Sequence, residues 1–140
     1  MVAALPIAKI LGLGASVRTM QDLDTAVTAG LPKRSLVLLS SRLHQDNRVA
    51  SAFKFKVVPP ATWKRRQKQL SPDESARIER FARVLATAEY VLDDREEARQ
   101  WMNSPHSELG GKTPLDTART EIGARRVEDI LNKLFFGLPA

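Results

Sequence analysis

The chain has 140 residues, of which 43% are hydrophobic and 27% charged, and its net charge is +6. This length and composition favour a globular protein with one domain, or two small ones sharing a core, over a disordered chain. No apolar run approaches the roughly 20 residues of a membrane-spanning helix, and the absence of Cys excludes disulfides and thiolate metal sites. We therefore expect a cytoplasmic protein without a membrane segment.

The N-terminal quarter shows few helix signals. A short helix is predicted over Thr19–Ala29, followed by a break at Gly30-Leu31-Pro32. We interpret residues 1–34 as an N-terminal arm. From Ser35 to about His44, leucines recur at helical spacing and predict the next helix.

Two short helices are predicted between Asp46 and Gln69. Asp46 or Asn47 can cap the first one. The double proline at 59–60 ends it, and the second helix then runs through Trp63 to Gln69. The intervening stretch Lys54–Val58 is also compatible with a strand, although it is short and basic.

The clearest helix start is Ser71-Pro72-Asp73-Glu74, in which Ser71 and Glu74 can satisfy each other's backbone N–H groups. The apolar residues from Ile78 to Leu92 follow the 3.6-residue period. A long helix is therefore predicted to form the spine of the fold.

A helical C-terminal module is predicted after the spine. It begins with a helix from Arg95 to Met102, and Gly110-Gly111 then forms a loop. Thr113-Pro114-Leu115-Asp116 repeats the cap-and-proline start, and a last helix follows Gly123. The fold class is therefore all-α, with a helix-turn-helix region at 35–92 and the C-terminal module at 93–140.

Positive charge is concentrated in one block. Residues 42–70 contain eight Lys or Arg and one Asp or Glu, a net charge of +7. The corresponding counts are four and two for residues 1–41, and ten and thirteen for residues 71–140. A basic second helix of a helix pair is typical of helix-turn-helix DNA binding, in which Arg and Gln read bases and Lys holds phosphates. A solvated helix face is the alternative. The candidate DNA contacts are Lys54, Lys56, Thr62, Lys64, Arg65, Arg66, Gln67 and Lys68.

No catalytic, metal or cofactor site is predicted. His44 and His106 are the two histidines and lie far apart in the sequence. Gly12-Leu13-Gly14 lacks the third glycine of a dinucleotide-binding motif. The acidic residues of 93–97 are explained by the dipole of a helix start. An enzyme is therefore the least favoured function.

The C-terminal third resembles the toxin-binding domain of Xre/MbcA/ParS-type antitoxins. The residues that carry this resemblance are Ala98, Trp101, Pro105, Leu109-Gly110-Gly111, Thr113-Pro114-Leu115-Asp116, Thr120, Gly123-Ala124, Val127, Leu131 and Gly137. The stretches Gly30-Leu31-Pro32 and 70–75 look like the Xre-like helix-turn-helix region of the same family. His106, where the family more often has Asn, and the connection before Thr62 depart from the pattern.

The resemblance implies an antitoxin that neutralises an NAD-degrading toxin of the RES type and represses the shared operon as a homodimer on operator DNA. It also implies that the C-terminal region covers the toxin's cleft. Candidate toxin-binding residues are Trp101, Leu109, Gly110, Gly111, Thr113, Pro114, Leu115, Phe135, Phe136, Leu138 and Ala140. Phe135, Phe136, Leu138 and Ala140 are the expected blocking contacts, whereas Trp101, Leu109, Thr113 and Leu115 are expected to shape the surface that presents them. The alternative is a DNA-binding regulator without a toxin partner, in which the C-terminal module only dimerises.

Overall fold

The computed structural model describes residues 2–138, and its regular structure there is helical, as the all-α prediction requires. A 3-10 turn at Ser107–Leu109 separates the seventh and eighth helices. In chain order the helices are α1 (Ala4–Leu11), α2 (Met20–Ala29), α3 (Lys33–Leu43), α4 (Asn47–Val57), α5 (Pro60–Arg65), α6 (Pro72–Leu92), α7 (Arg95–Met102), α8 (Pro114–Thr117) and α9 (Glu121–Phe135). No helix within the described range is long and apolar enough to cross a membrane.

The predicted spine is α6, which packs against α1, α2, α3, α4, α7 and α9. Its capping box is formed as predicted: Ser71 Oγ accepts from the Glu74 N–H at 3.1 Å, and Glu74 Oε1 accepts from the Ser71 N–H at 2.8 Å. The predicted apolar row is buried from Ile78 to Ala88 and half-buried at Leu92. Because a fully buried Leu or Ile contributes about 1.5–3 kcal/mol, this row anchors the core.

The N-terminal segment is part of this core, which corrects the prediction of an arm. In α1, Ile7 and Leu11 are fully buried, and the helix packs on α3 and α6. The Ser35 hydroxyl donates to the Leu11 carbonyl at 2.7 Å and ties α3 to the end of α1. The eight residues of α1 are apolar except for Lys9, so the sequence offers no polar face from which a helical period could be recognised.

Between α2 and α3, the backbone at Gly30-Leu31 passes close to the backbone at Leu70, just before α6. The Leu31 N–H donates to Ser75 Oγ at 2.7 Å, and Leu31 O accepts from the Leu70 N–H at 2.8 Å. Gly30 has φ +100°, and a Cβ there would lie 2.3 Å from Leu70 O. A glycine is therefore required for the chain to meet the start of α6.

In the basic block the structure decides one alternative that the sequence left open and moves one predicted helix end. Helix α4 continues to Val57, so Lys54–Val58 does not form a strand; the Asp46 side chain caps the helix, and no neighbouring described segment offers a strand to pair with. Helix α5 ends at Arg65 rather than Gln69. After it the chain is no longer helical and bends at Gln67 and Lys68, because Arg66 is paired with α6 and Gln69 forms an isolated bridge with Pro32.

The C-terminal module is fastened to α6 by arginines. Arg80 bonds Glu121 and the Arg119 carbonyl at 3.2 and 3.0 Å, and Arg83 bonds Glu121 and Glu128 at 3.2 and 3.1 Å. Helix α9 therefore lies along α6, with its apolar side in the common core. The two halves of the chain share one spine.

Candidate binding surfaces

The basic helix pair α4–α5 is held together by an aromatic cluster. The half-buried ring of Trp63 meets Phe55 edge-on, with centroids 6.4 Å apart. The ammonium groups of Lys33 and Lys54 lie 4.4 and 4.8 Å from the centroid of the indole ring. Each cation-π contact contributes about 0.5–1 kcal/mol at such a site. Trp63 therefore anchors α5, and Lys54 has a structural contact that its assignment to phosphate did not anticipate.

Most of the predicted DNA contacts are accessible. Lys64 and Arg65 are exposed on α5, and Thr62 is partly exposed behind them. Three others, Lys56, Gln67 and Lys68, are exposed on the flanking α4 and on the segment after α5. The short helix thus presents two cations and a hydroxyl rather than a long basic face.

Arg66 differs from the other candidate DNA contacts, because its guanidinium is paired within the fold. Its guanidinium bonds the Glu74 carboxylate in a two-point arrangement, at 3.1 and 3.2 Å. Burial raises the pKa of the Glu74 carboxyl, but hydrogen bonds from Arg66 and Ser71 outweigh burial and hold that pKa below its usual value. The pair locks the end of α5 to the start of α6.

The predicted toxin contacts before α9 mainly build the module. Leu109, Pro114 and Leu115 are buried, and Trp101 is half-buried, with its ring in an edge-to-face contact with that of His106. Thr113 caps α8 by accepting from the Asp116 N–H at 3.0 Å. The exposed loop residues of this set are Gly110 and Gly111, at φ +67° and +82°.

The end of α9 forms an exposed aromatic patch. Phe135, Phe136 and Leu138 are 45%, 67% and 56% exposed. Phe135 stacks on Tyr90 of α6 with centroids 5.5 Å apart, and Phe136 meets Phe135 edge-on at 5.1 Å. We call Tyr90, Phe135, Phe136 and Leu138 the aromatic patch. The remaining predicted contact, Ala140, lies outside the described residues.

The patch is shaped by the end of the helix. The Leu138 N–H donates to the Lys133 carbonyl at 2.8 Å, so the chain folds back onto the last turn of α9. Tyr90 was missed in the sequence because only the packing of α6 on α9 brings it beside Phe135. Arg126 of α9 donates to the Glu108 carbonyl at 3.3 Å and so links α9 to the loop before α8.

Comparison with known proteins finds a matching domain family for each half of the chain. Residues 22–83 match the antitoxin Xre-like helix-turn-helix domain, and residues 87–137 match the antitoxin Xre/MbcA/ParS C-terminal toxin-binding domain. An Antitoxin Xre of Pseudomonas putida is 29% identical over 119 residues, which cover 83% of this chain and 72% of that protein. Those of Yersinia enterocolitica and Photorhabdus laumondii are each 37% identical over 71 residues, or 50% of this chain and 48% of each relative.

The two matched regions follow each other along the chain and meet within α6, between residues 83 and 87. The first holds the basic helix pair, and the second holds the α8 loop and the three aromatic residues of the aromatic patch, with Leu138 just beyond it. With both domains present in this order, the chain belongs to the Xre/MbcA/ParS family of antitoxins.

Proposed function

We propose that this chain is the antitoxin of a type II toxin-antitoxin pair, which blocks an NAD-degrading RES-type toxin and represses its own operon as a homodimer. The observation that carries the proposal is that one spine helix joins two different binding surfaces. Exposed cations of α5 lie on one domain, and the exposed aromatic patch lies on the other. Each surface matches the chemistry of one partner, DNA in the first case and protein in the second.

The α5 surface supports operator binding. Lys64 and Arg65 have no carboxylate oxygen of residues 2–138 within 4.0 Å, and the ion pair of Arg66 fixes the end of the helix that carries them. Arg can bond guanine through two N–H groups, and Lys can hold phosphate. A short, anchored helix with free cations is suited to entering a major groove.

The double substitution Lys64→Ala with Arg65→Ala is expected to weaken binding to a duplex from upstream of the chain's own gene roughly 30-fold, because about 2 kcal/mol of contacts is lost. Fluorescence anisotropy at fixed salt measures this. Arg66 is left intact, since its removal would unpair Glu74. The control is Arg125→Ala, which removes an exposed cation from α9. Equal losses in the variant and the control would contradict the assignment to α5.

The aromatic patch supports toxin binding. Large aromatic side chains dominate protein interfaces because they bury much area at little entropic cost. Here the contact of Phe135 with Tyr90 fixes the ring before any partner arrives. An exposed apolar patch of this kind is suited to binding a protein partner, because its side chains do not pack inside the fold.

Phe135→Ala with Phe136→Ala is expected to weaken the toxin complex at least roughly 30-fold, as loss of central aromatic contacts does in other interfaces. Calorimetry with the purified toxin measures the affinity, and NAD levels in cells report neutralisation. The matched control is Ile122→Ala, which removes an apolar side chain that is 70% exposed at the other end of α9. If the control weakens the complex as much, the patch is not the toxin site. Operator binding should be unchanged in both proteins.

A second candidate is a DNA-binding regulator without a toxin, in which the aromatic patch joins two copies of the chain. The exposure of the aromatic patch also favours this regulator, because an exposed apolar surface can be buried against the same surface of a second copy of the chain. Co-expression with the neighbouring open reading frame separates the two functions. A toxic neighbour that copurifies with the chain supports the antitoxin; a harmless neighbour that does not bind supports the regulator.

A further inference from the structure

A groove of about 700 Å³ lies between α4, α6 and the turn from α8 to α9. Each of these three elements contributes one exposed cation to its lining: Lys56, Arg77 and Arg119. One carboxylate, that of Asp116, lines the groove with them. The groove therefore gathers an excess of positive charge from segments that are far apart in the sequence, and it spans both matched domains.

Arg77 and Arg119 lack carboxylate partners within the described residues, whereas neighbouring arginines of α6 form ion pairs. Arg80 and Arg83, on the same helix as Arg77, bond carboxylates of α9. Within the described part of the chain, Arg77 and Arg119 have no carboxylate oxygen within 4.0 Å. The Arg119 carbonyl accepts from Arg80 at 3.0 Å, so its backbone is held in place while its guanidinium remains available.

Hydroxyl groups add hydrogen-bond donors to the same groove. Thr113 and Thr120 accept backbone N–H groups at 3.0 and 2.9 Å, so each O–H can still donate outward. At the base, Phe81 is only 4% exposed and meets Phe53 edge-on at 5.2 Å, a contact within the fold itself. Three cations and two hydroxyls form a donor set that fits phosphate oxygens.

We propose that this groove holds backbone phosphates of the operator, with Arg77 and Arg119 as contacts beyond the helix pair. The proposal rests on the operator binding proposed above, and Lys56 is the residue common to both surfaces. It assigns part of the DNA interface to the domain that matches the toxin-binding model, since Arg119 lies within residues 87–137. The antitoxin would then hold DNA with both domains.

The test is the salt dependence of operator binding by the full chain, measured by anisotropy with a duplex from upstream of its own gene. Each phosphate neutralised changes the slope of log K against log salt concentration by about 0.9. Arg77→Gln with Arg119→Gln is therefore expected to reduce the slope by about 1.8. Arg77→Lys with Arg119→Lys should keep the slope, because it keeps the charge.

The control is Arg95→Gln with Arg125→Gln, which removes the same charge from exposed positions outside the groove. An unchanged slope in the groove variant, or an equal reduction in the control, overturns the proposal. If the groove variant keeps its slope but loses the toxin, the groove is a protein site instead. If the wild-type chain does not bind the duplex, the proposed operator binding is wrong. If the wild-type chain binds the duplex and the groove variant keeps the wild-type slope, only the assignment of phosphates to the groove is wrong.

Discussion

Replacing Gly123 with alanine is expected to destabilise the chain by about 3 kcal/mol, at the upper end of the usual cost of overpacking. An added Cβ would lie 1.7 Å from the Thr117 carbonyl oxygen and 2.8 Å from its carbon. Both are backbone atoms, so no side chain can rotate away. Alanine favours a helix by about 1 kcal/mol over glycine, but the steric clash costs more. The substitution is therefore expected to lower the free energy of unfolding.

Urea denaturation followed by circular dichroism measures this loss as a lower midpoint. Gly110→Ala is the control: its φ is +67°, but its Cβ would meet nothing within 4 Å. The cost there should be about 1–2 kcal/mol, from the left-handed backbone alone. A Gly123→Ala protein at least as stable as wild type would mean that the turn between α8 and α9 can open without loss. Toxin binding should fall with stability, because this turn positions α8 beside α9.

Replacing Glu74 with alanine is expected to cost about 2–3 kcal/mol. The carboxylate accepts from Arg66 and from the Ser71 backbone, and its side chain is only 7% exposed. Removing one partner of a buried ion pair costs about 3–5 kcal/mol, and we reduce this because the Arg66 side chain is 31% exposed. Glu74→Gln, which keeps an acceptor oxygen for the cap, should lose less. Equal stability of all three proteins would show that the pair contributes nothing.

This loss should depend on pH. The folded-state pKa of Glu74 lies below its ordinary value of 4.5, so the carboxylate's contribution is complete above that value and disappears as pH falls through the folded pKa. The stability difference between wild type and Glu74→Ala should therefore shrink in acid. Denaturation series at neutral and acidic pH measure it. A difference that stays constant with pH would contradict the role given to the ionised carboxylate.

Helix starts could be read from the sequence because they are local. The Ser71 and Glu74 pair, and the Thr113 cap of α8, join residues three apart along the chain. The predicted apolar row of α6 follows from the same local geometry. By contrast, α1 is almost entirely apolar, and the end of α5 depends on what Arg66 meets beyond it. These boundaries depend on contacts that no local pattern contains.

The candidate surfaces divide in the same way. The basic block is a property of composition, and its residue types pointed to DNA, whereas the resemblance to antitoxins pointed to a protein partner for the C-terminal tail. Which cations are free is a matter of pairing: Arg66 meets Glu74, whereas Arg77 and Arg119 lie at the same groove without a carboxylate partner in the described chain. Tyr90 joins Phe135 only because α6 and α9 pack together. The sequence alone determined the capped helix starts, the long spine helix and the charge pattern, because these follow from neighbours along the chain. Only the tertiary structure decided which side chains are paired and which are presented, because burial and ion pairing depend on distances between segments remote in sequence.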